Sequence, residues 1–466
     1  MASEIRVNKI INRSGLSTVT FSDTGAIVSG IVTANSFSGN VTGNVTGSGA
    51  NLTSIPAGQL TGTVADARLT TVSSSKLSGA LPALDGSALT GINTAFGSGT
   101  SINTSGIITA TAFIPTTGQL SHRNKVINGA MNVAQRNMPI TSANGYCLDM
   151  FKLWDGMDSG VATVDQSTHS PDGFSKSFKV DVTTADTSLA ATDYARIHHR
   201  IEAQNLQDLA YGTSEAKNIV ISFYVRSTTT GTYVFSIEQS DNSNKHCVFN
   251  YTVNSANTWE RKTFSIAGDT AGVINDDNGY GFTMYWILAA GSNYSSGSTR
   301  STWTAKVAAD SMAGQSVNLF SNTSNEFFLT GVQLEVGSVV TPFEHRSYAE
   351  ELQRCQRYYY EIAPAVAEAL IGDSLNYDSS DHCTLRFPVE MRVEPSFICS
   401  NFSNAFRIYG TSGGRNVSTL TVNTGVGSTK SILIECAGGT NGSRNFMRLY
   451  NANSGVYATI AASAEL

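Results

Sequence analysis

Apolar and polar residues alternate over strand-length segments through most of the chain after residue 120. The clearest of these segments are NIVISFYVRS (218–227), GTYVFSIEQS (231–240), HCVFNYTV (246–253) and GFTMYWILAA (281–290). Alternation of this kind, with β-branched and aromatic residues between turn residues, predicts β-strands. Helical spacing is rare here, and EAQNLQDLAYG (202–212) predicts one or two turns. We expect residues 121–346 to form about eight to ten strands of a jelly-roll-like β-sandwich.

One segment, SYAEELQRCQRYYYEI, has helical spacing and predicts an amphipathic helix over residues 347–365. Its apolar stripe consists of Tyr348, Leu352, Cys355, Tyr359 and Ile362. Ser347 can cap the helix with Glu350 as its reciprocal partner, and Glu350 and Arg354 form an i,i+4 pair. Such a short helix fits equally well against its own sandwich or in a three-fold bundle.

From residue 366 the strand pattern returns. The segments are CTLRFPVEMRV, AFRIYG, STLTVNTGV, SILIECAGG, FMRLYNA and VYATIAASAEL. Six or more strands in so short a region predict a second, smaller β-sandwich over residues 366–466.

The first 120 residues have a different composition. They contain no Trp, Tyr, His or Cys and carry nine charged side chains. One copy of such a segment buries too little apolar surface to offset its ordering entropy. It is therefore either a flexible linker or a shaft that winds with identical chains and has its core between the copies.

A repeat in this part favours the shaft. SGIVTANSFSG (29–39) returns as SGIITATAFIP (105–115), with six of eleven positions identical. Repeats that keep their apolar positions usually close a core by stacking or winding. We expect an intertwined shaft over residues 36–120, with Val41 and Val45 pointing inward. The Asn-x-Thr triplets at Asn40, Asn44 and Asn51 then belong to the shaft, because no export signal supports their glycosylation.

Charge and hydropathy exclude several classes of partner. The 466 residues carry 36 acidic and 30 basic side chains, whereas nucleic acid and anionic membranes demand a basic surface. The sequence contains no run of about 18 apolar residues, which is the length that could span a membrane. Its first residues, MASEIRVNKI, lack the pattern of a secretory signal. Six scattered cysteines without C-x-x-C spacing predict reduced, partly buried thiols. We expect no nucleic-acid partner and no membrane insertion.

Metal sites are not favoured by the sequence. His198 and His199 are neighbours in a predicted strand, so they face opposite sides and cannot chelate one metal together. NDDNGYG (275–281) clusters oxygen ligands without the EF-hand spacing, which favours a solvated turn over a calcium site. We expect no metal and no other cofactor.

Catalytic motifs are also missing from the sequence, including the G-x-S-x-G, G-x-G-x-x-G and H-E-x-x-H patterns. A glycosidase needs two carboxylates at the scissile bond. The acids of the sandwich that could pair in space are Asp149, Asp155, Asp158 and Asp165. The shaft offers few acids and no Tyr or Trp, so we expect the protein not to be an enzyme.

Binding of a sugar is the more natural use of the aromatic residues, because sugar C–H faces stack on Trp and Tyr while hydroxyls meet polar groups. Trp286, within TMYWIL, is expected in the core. The candidate receptor-binding residues of the large sandwich are Trp154, Trp259 and Trp303. Those of the terminal sandwich lie among Ser, Asn and Gly turns and are Phe402, Arg407, Tyr409, Arg415 and Arg444. A packing role is the alternative for each of them.

Several segments resemble tail fibres of tailed bacteriophages. They are GQLTGTVADARLTTVSSSKLSGALPALDGSALTGI (58–92), NKVINGAMNVAQRN (124–137) and FFLTGVQLEVGSVVTPFEHRSYAEELQRCQRYYYEI (327–362). MASEIRVNKI and SGIVTANSFSG are most similar to fibres of phages that infect marine cyanobacteria. LRFPVEMRVEPSF (385–397) and the closing SAEL also fit that family.

The resemblance implies an all-β, elongated, homotrimeric virion fibre that is assembled in the bacterial cytoplasm. Residues 1–35 would attach to a tail protein such as an adaptor, nozzle or baseplate subunit. The shaft, jelly-roll-like sandwich, helix and terminal sandwich would follow, with the last at the tip. The implied function is host recognition and adsorption, through a glycan or protein of the cell surface.

Three alternatives remain beside this interpretation. The first is a tailspike that degrades polysaccharide, and the second is a bacterial surface adhesin. The third is a fibre segment that only links the tail to a separate receptor-binding protein.

Overall fold

A computed structural model gives the fold of the protein. It describes residues 121–466 apart from gaps at 137, 142–144, 242–243, 364–369, 378–379, 400–405, 411–412, 423–426, 438–445 and 452–459. Before these it describes residues 9–11, 18–23, 25–29 and scattered positions from 31 to 46. Most of the predicted shaft therefore lies outside the described residues, as do Phe402 and Arg444. The chain divides into two compact units, Met1–Ile107 and Ile108–Leu466.

In the first unit, three short strands form an antiparallel sheet in the order β1 (Lys9–Ile11), β2 (Thr18–Ser22) and β3 (Gly25–Ser29). Ile27 and Val28 point to opposite faces of β3 because they are adjacent in a strand. They are 58% and 39% exposed. Among the described residues of this unit, both faces of β3 are therefore exposed at these two positions.

The second unit begins with a two-sheet sandwich, as the alternation predicted. Among the described residues its strands, in chain order, are β4 (Ile140–Thr141), β5 (Gly145–Leu148), β6 (Phe151–Asp155), β7 (Val161–Ser167), β8 (Ser177–Thr184), β9 (Tyr194–Glu202), β10 (Ile219–Ser227), β11 (Gly231–Gln239), β12 (Lys245–Val253), β13 (Glu260–Ile266), β14 (Tyr280–Ala290), β15 (Arg300–Ala305) and β16 (Glu326–Val336). These thirteen strands exceed the eight to ten expected, partly because short strands such as β4 and β5 carry too little alternation to be recognised.

The first sheet has the order β13-β10-β16-β8-β7-β4, and the second has the order β15-β12-β11-β14-β9-β6-β5. Neighbouring strands of both sheets pair antiparallel among the described residues. One apolar core lies between the sheets and includes Phe151, Phe178, Phe223 and Trp286. The predicted burial of Trp286 is confirmed. The four strands named from the sequence are β10, β11, β12 and β14, each within one residue of its predicted ends.

Short helical segments connect some of the sandwich strands. A 3-10 helix (Ala203–Leu209) occupies the segment predicted to make one or two turns. A four-residue helix, α1 (Ser292–Ser295), and two 3-10 turns (Ala308–Asp310 and Leu319–Ser321) follow β14. In the described part of the chain, no helix has the length and apolarity needed to cross a membrane. All six cysteines are free, and five of them are buried.

Helix α2 (Tyr348–Gln356) is shorter than the helix predicted over residues 347–365. Its start is as predicted, because the Ser347 hydroxyl accepts from the Glu350 N–H at 3.2 Å and Arg354 donates to Glu350 at 2.9 Å. Cys355 is buried in the sandwich core, so the helix packs on its own sandwich.

The prediction was wrong beyond Gln356. Residues Tyr359–Ala363 form strand β17, which pairs with the last strand of the chain. Three consecutive tyrosines favour an extended backbone, and pairing with a partner strand outweighs the helical spacing of Tyr359 and Ile362.

The remaining strands, within the same compact unit, form two further sheets. After β17 they are β18 (Leu370–Tyr377), β19 (Ser380–Arg386), β20 (Ser396–Cys399), β21 (Phe406–Gly410), β22 (Gly413–Asn416), β23 (Thr419–Val422), β24 (Ser431–Ala437), β25 (Phe446–Asn451) and β26 (Ile460–Ser463). They form a sheet β17-β26-β20 and a sheet β22-β21-β25-β18-β19-β24-β23. Their core includes Cys383, Phe406, Ile434 and Ile460. We call this part the terminal domain.

The sandwich and the terminal domain are joined through buried polar contacts. Glu202, at the end of β9, is fully buried and accepts from Arg357 Nε at 2.7 Å and Nη2 at 2.9 Å, and also from the Tyr358 hydroxyl. These hydrogen bonds lower the pKa of Glu202, against the effect of its burial. The carboxylate therefore stays charged and fixes the start of the terminal domain.

Residues 464–466 return from the terminal domain to the sandwich. The Ala464 N–H donates to the Tyr358 carbonyl at 2.7 Å. Glu465 forms an ion pair with Arg136, and Leu466 lies in the sandwich core. The terminal domain is thus attached to the sandwich at both of its ends.

Candidate functional site

The outer face of the second sheet carries an unusual set of side chains. Along β9, Ile197, His199 and Ile201 point into the core. Because successive residues of a strand alternate between faces, the residues between them point outward. The outward residues are Tyr194, Arg196, His198 and Arg200.

Neighbouring strands extend this set across the sheet. On β6, Trp154 lies opposite Arg196 and Lys152 lies opposite His198. On β14, Tyr285 lies opposite His198. Directly paired residues of antiparallel strands share a face, so these side chains form one group. We call Lys152, Trp154, Arg196, His198 and Tyr285 the outer row.

Arg196 is held among aromatic rings. Its guanidinium carbon lies 4.3 Å from the ring centre of Tyr285, 5.2 Å from that of Tyr194 and 5.3 Å from that of Trp154. Its Nε is buried and has no hydrogen-bond partner among the described residues. The rings fix the position of the cation through cation–π contacts, and the buried N–H is left without an acceptor.

His198 is the most buried member of the row and is 0% exposed. Its ring meets Trp154 edge-on at 5.3 Å and Tyr285 at 5.7 Å. Neither ring nitrogen has a hydrogen-bond partner in the part of the chain that the structure describes. Burial and then the charges of Arg200 and Arg196 hold the pKa of His198 well below its usual range, so the ring is neutral.

His199 faces the core instead. Its Nε2 lies 3.1 Å from the Ile127 carbonyl oxygen, and its ring packs on Phe151 at 4.8 Å. Burial lowers its pKa to about 3. The prediction that His198 and His199 lie on opposite faces is confirmed, so they cannot chelate one metal together.

Lys152 completes the row at its β6 end. Its ammonium lies 4.5 Å from the Trp154 ring centre. No carboxylate among the described residues lies within ion-pair distance of it. Burial and the nearby Arg200 lower the pKa of Lys152. The cation is therefore placed in an environment that disfavours its charge.

Among the described residues, the carboxylate of Glu238 contacts the outer row, and it already has two hydrogen-bond partners. The Tyr285 hydroxyl donates to Glu238 at 3.1 Å, and Lys306 Nζ donates to the same oxygen at 2.7 Å. Burial and the Glu238 charge raise the pKa of Tyr285 to about 12. Tyr285 therefore stays protonated and Glu238 stays committed to two partners.

A cavity of about 160 Å³ opens beside the row. Its lining consists of Tyr194, Arg196, Tyr294, Lys306, Ala308, Ser311 and Met312. The segment that follows α1 supplies one wall of it. Whole-ligand pockets usually measure about 300–1,000 Å³, so this cavity suits a single ring or substituent of a longer ligand.

The structure brings only Trp154, of the predicted tryptophans, into this group. Trp259 lies on the outer face of the first sheet, where its ring meets Phe328 at 6.2 Å. Trp303 stacks on Phe282 at 5.4 Å and donates its indole N–H to the Ala267 carbonyl at 3.0 Å. Trp303 therefore packs at the edge of the core.

The predicted residues of the terminal domain are only partly together. Arg407 lies 5.3 Å from the Tyr409 ring centre, and both are on β21. Arg415 on β22 lies opposite Ile408, so its side chain leaves the sheet on the other face. Phe402 and Arg444 lie outside the described residues.

The acids singled out from the sequence are spread over different elements. Asp149 is buried and accepts from the Gln135 N–H at 2.7 Å. Asp155 is on β6 of the second sheet, Asp165 is on β7 of the first sheet, and Asp158 is exposed between these strands. The described residues contain no group of three or more His, Cys, Asp or Glu side chains that could hold a metal.

The turn at residues 275–281 contacts the terminal domain. Asn278 Nδ2 donates to the Arg392 carbonyl at 2.8 Å, and Arg392 Nη1 donates to the Asn278 carbonyl at 3.0 Å. The Gly279 N–H donates to Asp277 at 2.8 Å. These oxygens hold the turn and the domain junction together.

A larger cleft of about 770 Å³ lies at the same junction. Its lining includes Asn278, Arg357, Glu390, Arg392 and Thr429, and no aromatic side chain contributes to it. Arg357 is bound to Glu202, and Thr429 donates to Glu390 at 2.8 Å. Several polar groups of this cleft already have hydrogen-bond partners, whereas the Arg196 Nε and both ring nitrogens of His198 in the outer row have no hydrogen-bond partner among the described residues.

Sequence reasoning missed Lys152, Arg196, His198 and Tyr285 as members of a site. The segment YARIHHRIE carried a usable signal, because every second residue from Tyr194 to Arg200 is large and polar or aromatic. A solvent-facing strand face seldom needs four such residues in succession. What the sequence could not supply was the pairing of β6, β9 and β14.

No family model matches the chain, and no curated protein matches it by sequence. Solved structures share parts of it. The enzymatically active domain of tailspike protein 4 from bacteriophage CBA120 is 12% identical over 46% of this chain and 21% of that one, with a TM-score of 0.25. The chain thus spans about a fifth of that tailspike domain.

Sugar-binding structures are similar to the same extent. A family 11 carbohydrate-binding module of a Clostridium thermocellum cellulase is 11% identical over 46% of this chain and 100% of that one, with a TM-score of 0.24. A putative sugar-binding protein from Bacteroides thetaiotaomicron is 12% identical over 46% and 100%, with a TM-score of 0.28. Likenesses at this level assign no function to the chain.

Proposed function

We propose that the protein is a bacteriophage tail fibre whose sandwich binds a glycan of the host surface through the outer row. The observation that carries this proposal is the partly exposed group of aromatic and cationic side chains with unpartnered polar atoms. Trp154 would stack on a sugar face, and Arg196 would donate to sugar oxygens. Sequence resemblance to the fibres of cyanobacterial phages supplies the viral context.

Unpartnered polar atoms support a ligand because they are costly in a folded protein. A buried donor without an acceptor costs about 1–3 kcal/mol. The outer face of the second sheet holds several such atoms, on Arg196, His198 and His246. A ligand rich in hydroxyl groups would supply partners for those that it can reach.

The first unit supports the fibre part of the proposal. Ile27 and Val28 are exposed on both faces of β3, and Ile31 is 95% exposed. Apolar side chains of this kind gain a core if identical chains cover them. We propose a homotrimer with an attachment segment at residues 1–35 and a shaft over 36–120. Three copies would multiply the avidity of one weak glycan site.

Binding without cleavage is the form of this proposal. Glycoside cleavage requires two carboxylates on opposite sides of the scissile bond. Glu238, which touches the outer row, is held by Lys306 and Tyr285. A tailspike activity remains the alternative, and release of soluble sugar from envelope polysaccharide by the purified chain would establish it.

The test is binding of the full chain to envelope polysaccharides purified from marine cyanobacteria and immobilised on a sensor surface. We expect Trp154→Ala to weaken binding at least about tenfold, which is about 1.4 kcal/mol. Trp259→Ala is the matched control on the other sheet and should change affinity less than about twofold. A folded wild-type chain that binds none of the polysaccharides would contradict the proposal.

The terminal domain provides the competing location. If Tyr409→Ala abolishes binding while Trp154→Ala leaves it unchanged, the terminal domain binds the receptor and the outer row does not. Circular dichroism of each variant confirms that the sheets are intact before binding is compared.

A further inference from the structure

The cations of the outer row have no counter-ion within the described residues. Lys152 and Arg196 form no ion pair there, although their neighbours on the same face include the cation Arg200. Arg200 is occupied, because it donates to the Leu466 carbonyl at 2.5 Å and stacks on Tyr280 at 4.1 Å. Glu465 acts on Lys152 only from a distance and is itself paired with Arg136, so no described carboxylate forms an ion pair with either cation of the row.

Glu238, the carboxylate that contacts the outer row among the described residues, does not change that balance. Glu238 bonds to Lys306 at 2.7 Å, which uses its charge on a cation outside the row. Like charges on one face repel each other and are normally avoided. Lys152 and Arg196 nevertheless share one face without a paired carboxylate. A bound anionic ligand would neutralise these two cations and so account for the arrangement.

The geometry of Arg196 suits such an anion. Tyr285 and Tyr194 lie within 4.3 and 5.2 Å of the guanidinium carbon, and the side chain lines the cavity of about 160 Å³. The Nε itself is buried, but a planar guanidinium also offers the N–H groups of its two terminal nitrogens to an oxyanion in a fork. Lys306, 34% exposed at its side chain, lines the same cavity.

A second observation is the state of His198. It is completely buried between Trp154 and Tyr285, and both of its ring nitrogens lack partners among the described residues. A neutral ring with two unpartnered nitrogens at the centre of the cations indicates a polar arrangement that is incomplete without a ligand.

We propose that the glycan bound by the outer row is acidic, and that its carboxylate or sulfate group is held by Arg196 and Lys152. This inference rests on the function proposed above and adds the chemical class of the ligand. Arg196 would bind the anion in a fork, and Lys152 would add a point charge on the Trp154 side. A neutral sugar would leave both cations unpaired.

The experiment compares polymers that differ only in their charge. Polygalacturonate is paired with its carboxyl-reduced derivative, and dextran sulfate is paired with dextran. Binding of the full chain to each polymer is measured at an ionic strength of about 0.15 M, where distant charges are screened. We expect the acidic member of at least one pair to bind about tenfold or more tightly than its neutral partner.

Variants locate the effect. Arg196→Gln and Lys152→Gln should each weaken binding of the acidic polymer about five- to tenfold, while binding of a neutral polymer changes less than about twofold. Lys217→Gln is the matched control, since it removes the same charge from an exposed lysine before β10. Urea unfolding of each variant separates lost binding from lost folding.

Each outcome decides the matter. Preference for polygalacturonate alone identifies a carboxylate as the bound group, and preference for dextran sulfate alone identifies a sulfate. Either result supports the inference, as does preference for both acidic polymers. Equal binding of the acidic and neutral members overturns the inference but leaves glycan binding in place. An equal loss from Lys217→Gln shows unspecific charge attraction and also overturns it. Binding of none of the four polymers, with envelope polysaccharide still bound, overturns the acidic class alone.

Discussion

The two outer faces of the sandwich carry the same kinds of residue but use them differently. On the first sheet, a cluster of Lys179, Arg226, Trp259, Glu326 and Phe328 combines aromatic rings with cations, as the outer row does. Arg226 lies 4.8 Å from the Phe328 ring, and Lys179 lies 5.9 Å from it. We call this set the first-face cluster.

The difference lies in the partners of the polar groups. Arg226 donates to the Asn257 carbonyl at 3.1 Å and to its Oδ1 at 2.8 Å. Lys179 bonds to Glu326 at 2.7 Å and Asp181 at 3.0 Å. Lys152 and Arg196 of the outer row have no such partners among the described residues. A cation beside an aromatic ring therefore indicates a binding surface only when its charge is not already used by the protein.

The largest contrast should appear when the central ring of each face is removed. Phe328 is 3% exposed, so Phe328→Ala should lower the free energy of unfolding by about 3–5 kcal/mol. Trp154 is only half-buried, and Trp154→Ala should cost about 1 kcal/mol. Urea unfolding followed by circular dichroism measures both. Equal losses would mean that the two faces are equally structural.

A smaller contrast is expected between the two lysines at neutral pH. Lys179→Gln loses contacts to two carboxylates and should destabilise the protein by about 0.5–1 kcal/mol. Lys152→Gln has no carboxylate contact to lose, and its cation lies in an unfavourable environment. It should change the unfolding free energy by less than about 0.5 kcal/mol. A loss from Lys152→Gln that matches the loss from Lys179→Gln would contradict the comparison.

The smallest expected effect is on the pH dependence of stability: at alkaline pH, Lys179 and Lys152 should change the free energy of unfolding in opposite directions. Burial opposes the charge of Lys179, but its hydrogen bonds to Glu326 and Asp181 outweigh this and raise its pKa. The folded state then holds that proton more tightly than the unfolded state. The resulting stabilisation is present below the ordinary lysine value of 10.5 and is lost as the pH rises past it.

For Lys152 the sign is reversed. Burial, together with Arg200, lowers its pKa, so the folded state releases the proton first. Its unfavourable contribution at neutral pH is relieved as the pH rises towards 10.5. Between pH 9 and 11, wild type should therefore lose stability relative to Lys179→Gln and gain stability relative to Lys152→Gln. Unfolding series at fixed ionic strength measure the two differences, and equal signs would refute the assignment.

Much of the fold was accessible from the sequence because it depends on local patterns. Alternation gave β10, β11, β12 and β14, and the spacing of Ser347, Glu350 and Arg354 gave the start of α2. The end of α2 was not accessible, because β17 forms only when Tyr359 pairs with Ser463, more than a hundred residues later.

The candidate site was less accessible for the same reason. Trp154 could be chosen for its chemistry alone, but so could Trp303, which packs at the edge of the core. What distinguishes them is the pairing of Trp154 with Arg196 and of Lys152 with His198, across about forty residues of chain. Residue type identifies candidates, and strand register decides which of them meet.

The return of residues 464–466 to the sandwich has a mechanical consequence. The terminal domain is joined to the sandwich at Tyr358 and again at Leu466, so a pull on it loads two chain segments in parallel instead of one flexible hinge. Such a double tether resists swivelling. A force on the terminal domain would therefore have to break contacts at both tethers before that domain could rotate away from the sandwich.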